Sequence, residues 1–203
     1  IAVEGTTSDL TIERNDVHSI FTTGTQTWPV YGIDVSGGDN VTVRNNFISD
    51  LHYDMSSAPA FTTQRGVFGL RIGAGNGHRV YSNSVSLFGL LPGSEQGGVL
   101  TAAFALVNTT STGLDVRDNI FANAMTGGTI QVAHASVYLP DGGTSAMNLT
   151  WNNNAYYFGA DESRQGVAQV GTSPTIGFYT TLPGLASYTS ALSPAGTNDP
   201  VMR

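Results

Sequence analysis

Apolar and polar residues alternate along this chain in short runs, and five of these runs share one pattern around an asparagine. Apolar or bulky residues stand five and three places before the asparagine, and another stands two places after it. The runs cover residues 10–17, 41–48, 78–85, 114–121 and 149–156. Alternation with period 2 predicts a strand on each side of the asparagine. Because asparagine is a poor strand residue that tolerates left-handed backbone, it predicts a bend between the two strands.

The asparagines recur 31–37 residues apart, at Asn15, Asn46, Asn83, Asn119 and Asn154. Repeats of this length are typical of solenoids and propellers, in which each unit buries its apolar face against its neighbours. If the bends stack, each side-chain amide can bond to the next and form a ladder. We therefore expect the five asparagines to be buried in a structural ladder.

Each repeat also carries a strand before the asparagine run, and a further strand follows the asparagine itself. The first set covers residues 32–35, 69–72 and 104–107, and the second covers residues 47–48, 85–87, 120–121 and 156–158. Three short strands per turn, each lying on its counterpart one turn away, predict three parallel sheets. A β-propeller has repeats of similar length, but its antiparallel blades need hairpin turns that this sequence lacks.

With these repeats and asparagine bends, residues 1–160 resemble the right-handed parallel β-helix of the pectate-lyase-like superfamily. The resemblance implies an all-β, right-handed, single-stranded parallel β-helix of about five coils. We expect the coils at residues 1–158. Residues 159–203 are expected to form a less regular C-terminal tail, with one short helix near residues 182–192, that packs on or caps the β-helix.

Composition narrows the possible partners and cofactors. Charged residues make up 11% of the chain and the formal net charge is −7, which argues against a nucleic-acid partner. The chain has no cysteine, and its four histidines lack metal-ligand spacing, so we expect no metal site. The resemblance leaves Ca²⁺ open as a cofactor. No apolar run approaches the ~20 residues of a membrane span.

Long insertions fall at one phase of the repeat, before the first strand of the next unit, and predict a binding edge. Aromatic faces stack on sugar rings, so the ligand-binding candidates are Trp28, Tyr31, His52 and Tyr53. We expect them to wall one groove whose floor holds Asp34 and Arg71. The alternative is that these loop aromatics fold back as plugs over the core.

Catalysis has weaker candidates. The resemblance implies two possible kinds of enzyme. Lyases of this fold use an Arg or Lys base together with Ca²⁺ held by clustered acids, and hydrolases use grouped carboxylates. The candidates of these residue types are Asp34, Arg71, Asp54 and Glu95. This chain scatters its acids, so the alternative is that these residues form surface ion pairs and solvated loops.

These observations favour an extracellular β-helix segment with a structural or carbohydrate-contacting role, in adhesion or as a stalk. Ile1 already lies in a predicted strand, so we expect further coils of a parent chain or neighbouring subunits at the open ends of a secreted or cell-surface protein. The alternative is a polysaccharide lyase, glycoside hydrolase or uronate epimerase, or a fragment of one. Three glycosylation sequons begin at Asn40, Asn108 and Asn148.

Overall fold

A computed structural model describes residues 1–22, 28–53, 61–91, 98–128, 131–161, 163–173, 176–191 and 201–202. These residues form many short strands and very little helix. In chain order the elements are β1 (Ala2–Val3), β2 (Thr11–Glu13), β3 (Asp16–Val17), β4 (Ile20–Thr22), β5 (Val30–Val35), β6 (Thr42–Arg44), β7 (Phe47–Ser49), β8 (Leu51–Tyr53), β9 (Gly66–Ile72), β10 (Arg79–Tyr81), β11 (Ser84–Leu91), β12 (Val99–Leu106), β13 (Asp115–Arg117), β14 (Ile120–Gly127), β15 (Val132–Leu139), a 3₁₀ turn (Ser145–Met147), β16 (Thr150–Asn152), β17 (Ala155–Phe158), β18 (Gln165–Val170), β19 (Phe178–Tyr179), α1 (Leu182–Ala191) and β20 (Val201–Met202).

Three sheets run along the molecule. Sheet 1 has the order β1-β5-β9-β12-β15-β18-β19, sheet 2 has β2-β6-β10-β13-β16, and sheet 3 has β3-β7-β11-β14-β17-β20. All neighbours pair in parallel except β18 and β19, and β4 pairs with β8 in a short additional sheet. The predicted all-β parallel solenoid is confirmed, with about four turns against the expected five coils.

The core consists of columns in which apolar side chains meet their counterparts one coil away. One column, formed by sheet 2, contains Ile12, Val43, Val80, Val116 and Trp151 in direct register. All five side chains are buried. Because each coil covers the apolar face of the one before it, the repeated alternation in the sequence becomes a continuous core.

The predicted asparagine ladder is confirmed. The backbone N–H and the Nδ2 group of each asparagine both donate to Oδ1 of the asparagine in the next coil. The Nδ2–Oδ1 distances are 2.9, 2.9, 3.0 and 2.9 Å along the column. Asn15 at the first coil is half-buried, and the other four asparagines are buried.

The left-handed bend does not lie at the ladder asparagine, as the sequence predicted, but one residue earlier. The residues before the five asparagines all have φ between 54° and 60°, at Arg14, Asn45, Ser82, Asp118 and Asn153. The preceding residue makes the turn, and the asparagine side chain is thereby directed along the stack.

The two ends of the solenoid differ. Residues beyond 158 extend the coils, because β18 continues sheet 1, and the antiparallel β19 then follows. Leu185 of α1 is buried in the core, and β20 pairs with β17. At the other end β1, β2 and β3 each have a single strand neighbour in the described part of the chain. The helical segments that the structure describes include none long and apolar enough to cross a membrane.

Candidate functional site

The outward face of sheet 1 carries both predicted floor residues and a second apolar cluster. Pairing places Asp34 beside Arg71, Arg71 beside Ala105, and Ala105 beside Tyr138. The second cluster is distinct from the solenoid core and comprises Phe61, Phe68, Leu100, Ala102, Ala105, Ala133 and Tyr138. All seven side chains are buried, so the middle of this face is covered. Ligands therefore have access nearer its two ends.

Asp34 and Arg71 form a closed ion pair near the first of these ends. Arg71 Nη1 donates to Asp34 Oδ1 at 2.7 Å, and the Ser36 hydroxyl donates to Asp34 Oδ2 at 2.6 Å. The Arg71 guanidinium also lies 5.0 Å from the ring centroid of Tyr31, and burial raises the pKa of that tyrosine. Both oxygens of Asp34 already accept hydrogen bonds, so the geometry matches the ion-pair alternative better than a free catalytic base.

Tyr53 does not line an exposed wall. Alternation within β8 directs Tyr53 inward, where it is 3% exposed and belongs to the core. The expectation that Tyr53 is exposed was wrong, because the sequence placed it in an insertion, whereas it lies in β8 and continues the alternation of inward and outward residues. Trp28, by contrast, is 70% exposed.

His52 is half-exposed and packs away from the core. Its ring stacks on Phe21 with centroids 4.9 Å apart, and its Nε2 bonds to Asp50. The hydrogen bond from His52, followed by one from Ser19, lowers the pKa of the Asp50 carboxyl. The catalytic candidates Asp54 and Glu95 lie outside the described residues.

A cavity of about 650 Å³ lies at the other end of the same face. Turns that follow β12, β15 and β18 surround it, together with β19. Its polar lining comes from short side chains, and its apolar lining comes from two tyrosines, three aliphatic residues and one proline. The lining is Val107, Asn108, Thr109, Tyr138, Pro140, Asp141, Val170, Gly171, Thr172, Ser173, Ile176, Gly177 and Tyr179.

Two amide side chains fix the cavity walls. Asn108 Oδ1 accepts the backbone N–H groups of Thr110 and Ser111, both at 2.9 Å, and its Nδ2 donates to the Gly73 carbonyl. The buried Gln169 Nε2 lies 3.0–3.1 Å from four carbonyl oxygens, those of residues 170, 171, 173 and 176. One buried amide therefore holds the turn after β18 against the sheet.

Sequence analysis missed this cavity because most of its lining lies in turns and in the tail, where the repeat pattern fades. Gly171 and Gly177 were the available signal. Both have positive φ, at 72° and 78°, in the region that favours glycine. A side-chain carbon at position 171 would lie 2.9 Å from Asp141 Cβ, so the cavity wall requires a glycine there.

A second cavity, of about 390 Å³, lies on the outward face of sheet 2. Its Arg44 donates to Glu13 at 2.7 Å, and its Arg117 donates to Asp115 at 2.6 Å. Tyr81 also donates to Asp115, at 2.6 Å. Because both arginines are paired with carboxylates on the same face, this cavity has little free charge with which to bind an anion.

No known protein provides a functional comparison for this site. Searches with family models, among curated proteins and among solved structures found no match. Within the described ranges there is also no group of three or more His, Cys, Asp or Glu residues able to hold a metal ion.

The structure separates the three predicted sequons. Asn40 and Asn148 are exposed, whereas Asn108 uses both ends of its amide within the cavity wall. Attachment of a glycan requires a free Nδ2 group. After expression in a glycosylating eukaryotic host, we expect peptide mass spectrometry to find glycan at Asn40 and Asn148 and none at Asn108. Full occupancy at Asn108 would contradict the hydrogen bonding described for this turn.

Proposed function

We propose that this protein is a glycan-contacting β-solenoid without catalytic activity, and that its binding site is the 650 Å³ cavity on sheet 1. The observation that carries the proposal is the partly exposed ring of Tyr179, which is surrounded by hydroxyl and carboxylate side chains, while Tyr138 is buried in the cavity wall. Aromatic rings stack on the apolar faces of sugars, and the polar side chains suit their hydroxyl groups. The volume lies within the range of about 300–1,000 Å³ usual for ligand sites.

The carboxylate inventory favours binding over catalysis. Asp141 is the one carboxylate among the described residues that line the cavity. Glycoside hydrolysis uses a pair of carboxylates on opposite sides of the scissile bond. A lyase, hydrolase or epimerase of the pectate-lyase-like kind therefore has less support here than a binding role. The proposal places the protein in the extracellular space or on the cell surface, where polysaccharides occur.

Trp28 offers a second contact for a long ligand. It stands just before β5, and the cavity borders the end of β15, three strands further along sheet 1. With strands ~4.8 Å apart and six residues of about 3.3 Å each in β5, the two positions are separated by roughly 15 Å along the solenoid and roughly 20 Å along the strand direction. A linear glycan that follows the sheet across its coils can reach from one to the other, which suits a polysaccharide better than a compact metabolite.

Affinity electrophoresis in gels that contain neutral or uronate polysaccharides tests the proposal. We expect Tyr179→Ala and Asp141→Asn each to weaken retention about tenfold, which corresponds to about 1.4 kcal/mol of binding free energy. Trp28→Ala should have a smaller effect, confined to long chains. Phe21→Ala is the matched control, because it removes an aromatic ring that is 58% exposed elsewhere on the solenoid.

Two outcomes would reject the proposal. One is retention that stays unchanged in the Tyr179 and Asp141 variants while both remain folded by circular dichroism. The other is release of reducing ends or unsaturated uronates by the wild-type protein, with or without added Ca²⁺, which would assign an enzyme instead.

A further inference from the structure

The outward face of sheet 3 carries no charged side chain across β7, β11, β14 and β17, and the exposed Asp16 of β3, beside Phe47, lies at its edge. Its outward positions alternate with the inward core positions of the same strands. We call these residues the sheet 3 strip: Phe47, Ser49, Ser84, Ser86, Phe88, Leu90, Ile120, Ala122, Ala124, Thr126, Ala155 and Tyr157.

The large side chains of the strip are well exposed. Leu90 is 71% exposed, and Phe47, Phe88, Ile120 and Tyr157 are between 38% and 47% exposed. Four strands ~4.8 Å apart, of up to eight residues at ~3.3 Å each, give an area on the order of 400 Å². Exposed apolar patches of this size are often functional in monomeric proteins.

The register gives the strip alternating ridges and hollows. One row across the strands contains Phe47, Ser84, Ile120 and Ala155 in direct register, so a large side chain stands beside a small one at each step. The next row contains Ser49, Ser86, Ala122 and Tyr157. Rows of serine and alanine between exposed phenylalanine and isoleucine leave space for side chains from an opposing surface.

The outward faces of sheets 1 and 2 already carry covering side chains or ion pairs. Sheet 1 has the buried cluster around Phe68 on its outward face. Sheet 2 presents ion pairs, such as Arg44 with Glu13 and Arg117 with Asp115. The strip has neither covering side chains nor charge pairs in the described part of the chain, so it is the face that remains to be covered.

We propose that a second copy of this chain covers the strip, face to face around a two-fold axis. Two copies that each carry a charge of −7 repel each other, and repulsion is weakest where a face has no charge. In a two-fold contact the same patch meets itself, so the ridges of one copy face the hollows of the other. Standard interfaces bury about 800 Å² per partner, and the strip supplies the apolar centre of such a contact.

Analytical ultracentrifugation over a range of concentrations tests this proposal. We expect the wild-type protein to sediment as a reversible dimer. Leu90→Asp and Ile120→Asp should each raise the dimer dissociation constant at least tenfold. Phe21→Asp is the matched control, because Phe21 is 58% exposed and lies in β4, outside both the strip and the sheet 1 cavity. All three variants point to solvent in the monomer, so thermal melts should confirm that they fold.

A wild-type protein that stays monomeric at its highest soluble concentration would overturn the proposal, as would a dimer unaffected by Leu90→Asp and Ile120→Asp. If the protein is monomeric and Leu90→Asp and Ile120→Asp weaken its retention by polysaccharide, then the strip binds glycan instead. The cavity variants Tyr179→Ala and Asp141→Asn should leave the dimer intact, so this proposal and the proposed function can fail separately.

Discussion

Asn119→Ala is expected to lower the free energy of unfolding by about 3–5 kcal/mol. Asn119 Oδ1 accepts both the backbone N–H and the Nδ2 group of Asn83, at 2.9 and 3.0 Å. Its own Nδ2 donates to the Val80 carbonyl and to Asn154 Oδ1, both at 2.9 Å. Alanine removes these four hydrogen bonds and leaves the buried backbone N–H of Asn83 without its acceptor, whereas Asn83 Nδ2 and Asn154 Oδ1 each keep one other partner. Each buried group left unsatisfied costs about 1–3 kcal/mol.

Urea denaturation of Asn119→Ala and Asn83→Ala measures this effect. Asn15→Ala is the matched control, since Asn15 stands at the end of the same ladder, is half-buried, and has one ladder neighbour. We expect its cost to be less than half that of the two internal variants. Equal losses at all three positions would show that the ladder does not stabilise the solenoid through its internal hydrogen bonds.

The second large effect is a loss of folding stability at acidic pH, caused by the buried His134. Burial lowers the pKa of His134 to about 4 from an ordinary value of 6.5. Nε2 lies 3.2 Å from the Gly127 carbonyl, which can only accept, so Nε2 carries the proton. Nδ1 then accepts from the Thr101 hydroxyl at 2.9 Å. The folded protein therefore holds a neutral imidazole that has no room for a second proton.

The unfolded chain takes up that proton below pH 6.5, whereas the folded chain resists it until about pH 4. The contribution of His134 is therefore complete above pH 6.5 and is lost as the pH falls to about 4. The pKa difference predicts a loss of about 3 kcal/mol over this range. Burial also lowers the pKa of His78, which adds to the loss in the same direction.

Denaturation curves at several pH values between 7 and 4 separate this contribution from that of the carboxylates. His134→Gln should flatten the dependence on pH by about 3 kcal/mol relative to wild type, whatever its effect at neutral pH. The exposed His18 provides the matched variant, His18→Gln, which should keep the wild-type slope. Parallel curves for wild type and His134→Gln would refute the assignment.

The solenoid could be predicted from sequence because each coil repeats the same contacts. Val43 meets Val80 and Val80 meets Val116, so three-dimensional neighbours appear as a periodic pattern along the chain. Strand lengths were predicted less well. The strands after Asn83 and Asn119 were predicted at residues 85–87 and 120–121, but β11 and β14 continue to Leu91 and Gly127.

Polar residues inside the solenoid explain the error at β14. Asn123, Thr101 and His134 are buried, although polar residues at such positions suggest a loop. Asn123 Nδ2 donates to the Thr101 hydroxyl at 2.9 Å, and that hydroxyl bonds to His134. Because these side chains satisfy one another across different strands, no periodic pattern reveals them. The sheet 1 cavity was missed for a related reason, since its lining joins turns from separate coils.

The asparagine ladder also gives the solenoid a chemical direction. In the bonds between ladder amides, each Nδ2 donates toward the later coil and each Oδ1 accepts from the earlier one. Among the described residues the Oδ1 atom of Asn15 therefore has no donor from the ladder. Two molecules that met through their first coils would bring these two oxygens together, acceptor against acceptor. A coil that stacks on the first coil in the same sense would instead present an N–H group to Asn15. The first coil therefore distinguishes the orientation of an approaching strand by hydrogen-bond polarity, independently of the side chains in the core.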